Sequence, residues 1–138
     1  KYRQAIAAAV TDSTLLGESG LRTLSNSHIS YRPGGYHTGS AWPFDGALVA
    51  RGLLTQGFNN ESELIQNKTR IAIESSGGYP EFFRGDWPVG DLINTYTHDV
   101  KSFDATKNTE RFNRVAQPPQ IIQGWTVAAY SWLIKQVK

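Results

Sequence analysis

Residues 40–57 read SAWPFDGALVARGLLTQG, and this stretch decides the fold class. Pro43 stands near the first turn of a prospective helix, where its missing N–H costs nothing. Asp45 falls in that same turn, where the helix dipole favours a carboxylate. Leu48, Val49, Leu53 and Leu54 recur at helical spacing, and Gly57 supplies a stop. Downstream, Asn60 and Glu63 form a capping-box-like pair ahead of a second helix with Leu64, Ile65, Ile71 and Ile73 on its apolar faces; Ser75-Ser76-Gly77-Gly78 ends it. Upstream, the Ala-rich run KYRQAIAAAV has good helix propensity and stops at Thr11-Asp12-Ser13. A last helix is expected from Pro118-Pro119 to about Lys138, with Ile121, Ile122, Trp125, Ala128, Ala129, Trp132 and Leu133 on or near one face. Two long irregular stretches join these pieces. Residues 17–39 contain five glycines and one proline, and residues 79–117 have many turn formers and no clean period. Loops of that length in a compact domain are functional or disordered, and their aromatic residues argue for order. The expected fold is mainly α, helical hairpins joined alternately by short and very long connections, with strands only as short hairpins inside the loops.

Composition excludes several function classes. The chain has 138 residues, enough for one domain or one piece of a larger one. Fourteen Lys and Arg against twelve Asp and Glu leave +2, too small an excess for a nucleic-acid footprint. No run of like charges points to a membrane surface, and no apolar stretch approaches the ~18 residues of a membrane span. There is no signal-peptide h-region. The absence of cysteine removes disulfides, zinc ribbons and thiol catalysis, and permits the reducing compartment of a cytoplasmic protein. The chain begins at Lys1 and has no methionine, so it is expected to be a segment of a longer product. His28, His37 and His98 lack metal-ligand spacing, so neither a metal nor a cofactor is expected.

What remains is carboxylates among aromatics. Three clusters stand out: Tyr36-His37-Thr38-Gly39-Ser40-Ala41-Trp42-Pro43-Phe44-Asp45, Gly78-Tyr79-Pro80-Glu81-Phe82-Phe83-Arg84-Gly85-Asp86, and Gln117-Pro118-Pro119-Gln120 leading to Trp125. An aromatic face offers sugar C–H groups a flat apolar surface, while His, Asp and Gln hydrogen-bond the hydroxyls around the ring. Glycosidic cleavage needs a carboxylic acid on the leaving oxygen and a second carboxylate on the opposite face. The clusters hold the residue types of a saccharide site. Each also has a plainer reading: Trp42 as a core plug, Asp45 as a dipole-favoured helix residue, Glu81 as a turn carboxylate.

These blocks, in the order Gly20-Leu21-Arg22-Thr23-Leu24-Ser25, Tyr36-His37-x-Gly39-Ser40-x-Trp42-Pro43-x-Asp45, Tyr79-Pro80-Glu81-Phe82-Phe83-x-Gly85 and Gln117-Pro118-Pro119-Gln120 before Trp125, resemble the C-terminal part of the amylo-α-1,6-glucosidase domains of glycogen debranching enzymes. The likeness runs from about Gly17 to Trp132. It implies an (α/α)₆ toroid of six helical hairpins, with the site at one mouth. A full ring needs roughly 200 residues at least, so residues 1–138 would be its last two hairpins or so, an incomplete ring. Carried over by position, Glu81 matches the glutamate that looks like the general base. Tyr36, His37, Ser40, Trp42 and Asp45 look like a sugar-contacting wall with Trp42 as stacking ring, and Arg22, Gln120 and Trp125 match positions near the mouth. Phe44 departs from the His or Trp of many relatives. The general acid, an aspartate, would lie upstream. The implied activity is inverting hydrolysis of α-1,6 branches in glycogen-like α-glucans, without a cofactor, the segment being inactive alone. Its implied partners are the α-glucan and the upstream half of its own domain, with self-association through exposed helix faces, and neither nucleic acid nor membrane. Two other functions fit the same residues: a non-catalytic carbohydrate-binding or scaffold module, and a related toroid that cleaves another glycoside.

Overall fold

The computed structural model describes residues 2–86, 88–90, 96–104, 109–117 and 120–136. Within them the protein is mainly helical. In chain order the elements are α1 (Tyr2–Thr11), β1 (Leu16–Gly17), β2 (Gly20–Leu21), α2 (Pro43–Thr55), α3 (Asn59–Ser76), β3 (Tyr96–Asp104), β4 (Thr109–Gln117) and α4 (Gly124–Leu133), closed by a 3₁₀ turn at Ile134–Gln136. β1 pairs with β2 and β3 with β4, each antiparallel, the longer pair running from Tyr96↔Gln117 to Asp104↔Thr109. The long hairpin occupies the stretch whose turn formers and lack of period suggest irregular structure. A nine-residue strand pair is more than the short hairpins expected there. No described helix is long and apolar enough to cross a membrane.

The α2–α3 hairpin is the frame. The chain turns through Gly57, whose φ of 83° lies in the left-handed region that glycine adopts without a Cβ clash. The Phe58 N–H then donates to the Leu53 carbonyl at 3.0 Å. The Asn60–Glu63 capping box does not form. Helix α3 begins at Asn59, with Phe58 rather than Asn60 as N-cap and no side-chain cap hydrogen bond, because the tight turn already places Asn60 inside the helix. Two contacts set the antiparallel packing. The Ser62 hydroxyl donates to the Ala50 carbonyl at 2.7 Å, and a Cβ on Gly46 would lie 2.7 Å from Thr69 Oγ1. The buried face of α2 is Pro43, Gly46, Ala47, Ala50 and Leu53, so small residues set how closely the helices approach. Leu48 and Leu54 face outward, as do Leu64 and Ile71 on α3.

Helix α4, by contrast, begins later than its proline pair suggests. Pro118, Pro119 and the last two residues lie outside the described residues; the helix starts at Gly124, with Gln123 as an extended N-cap whose side chain accepts from the Gly124 N–H. The backbone before it is already committed elsewhere. The Glu81 N–H donates to the Gln120 carbonyl at 2.8 Å and the Gln123 N–H to the Tyr79 carbonyl at 2.7 Å, so residues 120–123 stay out of the helix. Ile121 and Ile122 consequently lie off the helix and are largely exposed rather than buried on its face. Helix α4 packs through Thr126, Ala129 and Leu133. Leu133 joins Ala72, Ile73 and Phe83 in one core cluster, while Ala7, Leu16, Ala50, Leu53 and Ile65 form another beneath α1.

Candidate functional site

Backbone hydrogen bonds draw distant segments together at one end of the α2–α3 hairpin. Ala41 and Phe83 exchange reciprocal bonds of 3.0 and 2.9 Å, and Ala41 also bridges to Arg22, so three segments lie side by side. Tyr79 bridges in parallel to Ile122, adding a fourth. The buried Thr126 hydroxyl donates to the Pro80 carbonyl at 2.8 Å and ties α4 to the same loop. Two glycines make the approach possible. Gly39, with φ of 149°, packs so closely on Gly85 that a Cβ on Gly85 would lie 1.7 Å from the Gly39 carbonyl oxygen.

Glu81 lies at this junction, 7% exposed. A buried carboxylate is costly unless hydrogen bonds replace its water. Both of its oxygens have such partners: the Tyr36 hydroxyl donates to Oε1 at 2.9 Å, and the Gln120 backbone N–H donates to Oε2 at 3.2 Å. The neighbouring Arg84 guanidinium forms an ion pair with Asp86 at 3.1 Å.

Aromatic rings surround the Tyr36 end of this pair. The Tyr36 ring stands edge-on to Trp42, Phe82 and His37 at centroid distances of 4.7, 5.3 and 4.4 Å. Phe82 and His37 lie near-parallel to the Trp42 indole, at 5.1 and 5.9 Å. Trp42 is buried, and its Nε1 donates to the Tyr36 carbonyl at 3.0 Å and to Ser40 Oγ at 2.9 Å. Ser40 is fully buried and its hydroxyl donates in turn to the Tyr36 carbonyl at 2.7 Å. In this arrangement Trp42 and Ser40 set the shape of the loop that presents Tyr36.

The exposed side chains around this nest are His37, Asp45, Gln120, Phe44 and Trp125. Trp125 lies 6.3 Å from Trp42 and 6.1 Å from Phe44, centroid to centroid. Partial desolvation raises the pKa of the Asp45 carboxyl, and the charge of nearby His37 opposes the rise. Arg22 sits behind the site: its Nε donates to the Gly85 carbonyl and its Nη1 to the Ser13 carbonyl, lashing two loops together. Among the residues expected to form a site, Glu81, Tyr36, His37, Ser40, Trp42 and Gln120 are thus gathered in one place. Trp125 and Asp45 flank it, and Arg22 supports it from below.

Sequence reasoning missed three parts of this arrangement. Tyr36 touches Glu81 across 45 residues. Gln120 contributes its backbone N–H to the carboxylate. Phe44 packs beside Trp125. Among the described residues no group of three or more His, Cys, Asp or Glu could hold a metal ion. A cavity of about 500 Å³ lined by Leu54, Asn59, Glu63, Gln66, Arg70 and Gln136, among others, lies away from Glu81. No protein-family model matches the chain, and no curated protein matches it.

Proposed function

We propose that this chain is the C-terminal segment of an (α/α)₆ glucosidase domain, in which Glu81 is the general base of an inverting hydrolysis of α-1,6-glucosidic branches. One observation carries the reading: a glutamate, 7% exposed, is held through both carboxylate oxygens, one of them by a tyrosine that is itself packed among aromatic rings. Burying a charge and fixing its orientation is costly for the fold, and a general base needs both. Exposed His37, Asp45 and Gln120 supply hydroxyl partners at the rim. The order of the sequence blocks supports the substrate class. The outward apolar residues of α1, α2 and α4, among them Ile6, Leu48 and Val127, supply faces on which further helices of a ring would pack.

In the proposed reaction a water oxygen attacks the anomeric carbon while Glu81 takes its proton. An aspartate of the upstream half gives a proton to the departing O6, so the glycosidic bond breaks with inversion and no covalent intermediate forms. The test follows the anomeric proton by NMR while the full-length chain, the longer parent that would carry the upstream half, acts on a 6-α-glucosyl maltooligosaccharide. The first product should be β-glucose. Initial release of α-glucose would exclude inversion, and oligosaccharide binding without hydrolysis would leave a carbohydrate-binding module in its place. Faster turnover of another glycoside would change the substrate.

The Tyr36 hydroxyl gives a second test. Tyr36→Phe keeps the ring packing and removes one hydrogen bond to a charged acceptor, worth roughly 1.5–3 kcal/mol. The expected result is a fall in kcat of roughly 10- to 100-fold with KM little changed, because the bond orients the base. A raised KM with kcat intact would make Tyr36 a sugar contact instead.

A further inference from the structure

We infer that Phe44 and Trp125 together form a stacking platform for a second sugar unit, so that the site takes an α-linked oligosaccharide chain rather than a single terminal glucosyl ring. The inference rests on the saccharide reading of the Glu81 site. It starts from a series of aromatic rings. Phe82 is fully buried, Trp42 is 9% exposed, and Trp125 and Phe44 are 42% and 36% exposed. Successive centroids lie 5.1, 6.3 and 6.1 Å apart, so the rings run without a break from the neighbourhood of Glu81 to the surface.

The two outer rings come from different elements. Phe44 is in the first turn of α2 and Trp125 in the first turn of α4, and the two helices pack against each other. Their planes are inclined by 31°, which leaves a shallow aromatic surface rather than an edge-to-face plug. A single exposed apolar side chain is ordinary on a protein surface. Two adjacent aromatic rings, continuous with a buried carboxylate site, are less so. The polar rim fits a sugar better than an apolar partner. Exposed polar residues stand by the inner part of the ring series: His37 stacks on Trp42, and Gln120 joins Glu81 through its backbone, so donors and acceptors adjoin the aromatic run. Sugar faces pair apolar C–H groups with a periphery of hydroxyls, and this surface has the complementary pattern.

Binding of glucose, maltose and maltotriose to the full-length chain, followed by calorimetry, tests the platform in wild type, Trp125→Ala, Phe44→Ala and the double variant. Each single substitution should weaken maltotriose binding roughly three- to tenfold. The loss for maltotriose should be at least three times the loss for glucose. Trp125→Leu and Phe44→Leu, which keep apolar bulk without a flat face, should show the same chain-length dependence with unchanged melting temperature. Equal losses for glucose and maltotriose, or none for either, would overturn the platform. The two ideas fail separately: a wild-type chain that binds maltotriose but hydrolyses no branch sinks the hydrolase reading alone. Hydrolysis that persists with maltotriose affinity untouched in the double variant sinks the platform alone.

Discussion

Glu81→Gln in the full-length chain is expected to lower the turnover of an α-1,6-branched oligosaccharide by roughly 10²- to 10⁴-fold, the range that a positioned general base contributes. That loss corresponds to about 3–5 kcal/mol of transition-state stabilisation. The substitution suits the purpose because it spares the architecture. Glutamine has nearly the same shape, and its amide oxygen can still accept from the Gln120 N–H, which approaches Oε2 at 3.2 Å. The amide NH₂ then faces the Tyr36 hydroxyl, which can accept as well as donate. No buried polar atom need lose its partner, so melting temperature and oligosaccharide affinity should stay close to wild type. What disappears is the capacity to take a proton from water. A kcat within a few fold of wild type would remove Glu81 from the chemistry, whatever its surroundings. A collapse of kcat together with a large drop in melting temperature would instead mean that the carboxylate holds the loops together, a role its two hydrogen bonds also allow.

How much of this could be read from residues alone divides along physical lines. Helices α1, α2 and α3 were legible because local rules suffice: alanine propensity, a first-turn proline, and a left-handed glycine stop at Gly77, where φ is 70°. The start of α4 was not. It is fixed by hydrogen bonds that tie Gln120 and Gln123 to Glu81 and Tyr79, about 40 positions away, and local sequence carries no trace of those partners. The nine-residue β3–β4 pair escaped for a related reason, since Tyr96–Asp104 mixes charged, polar and aromatic residues without a strict alternation. At the site, the residue types pointed to sugar chemistry, but their roles depended on tertiary contacts. Ser40 and Trp42 look alike as sugar-wall candidates in a linear reading. Burial turns them into the support of Tyr36, because their polar atoms are consumed by the Tyr36 carbonyl and by each other. Phe44 attracted notice only as a departure from a pattern, and its exposure beside Trp125 emerged only from the tertiary packing of α2 and α4.

The largest stability effect is expected from one methyl group, in Gly85→Ala. An added Cβ would sit 1.7 Å from the Gly39 carbonyl oxygen and 2.9 Å from its carbon, and both are backbone atoms that no rotamer change can move aside. Gly85 cannot easily retreat. Its N–H donates to the Pro33 carbonyl at 2.9 Å, and its own carbonyl accepts from Arg22 Nε. Relief therefore requires the 33–39 and 83–85 segments to separate, with the Ala41–Phe83 backbone pair strained beside them. Overpacking of this kind costs about 3 kcal/mol or somewhat more, a fall in melting temperature of roughly 10 °C for a chain of this size. Activity should fall as well, since Tyr36 lies in one of the segments being forced apart and Glu81 stands just before the other. Gly52→Ala is the matched control. It adds the same atom within α2, where nothing lies within 4 Å, and replacing a helical glycine by alanine should be neutral or stabilise by about 0.5–1 kcal/mol. The two alanines should therefore shift the melting temperature in opposite directions. If both melt alike, the Gly39–Gly85 approach is not what brings the loops together around Glu81.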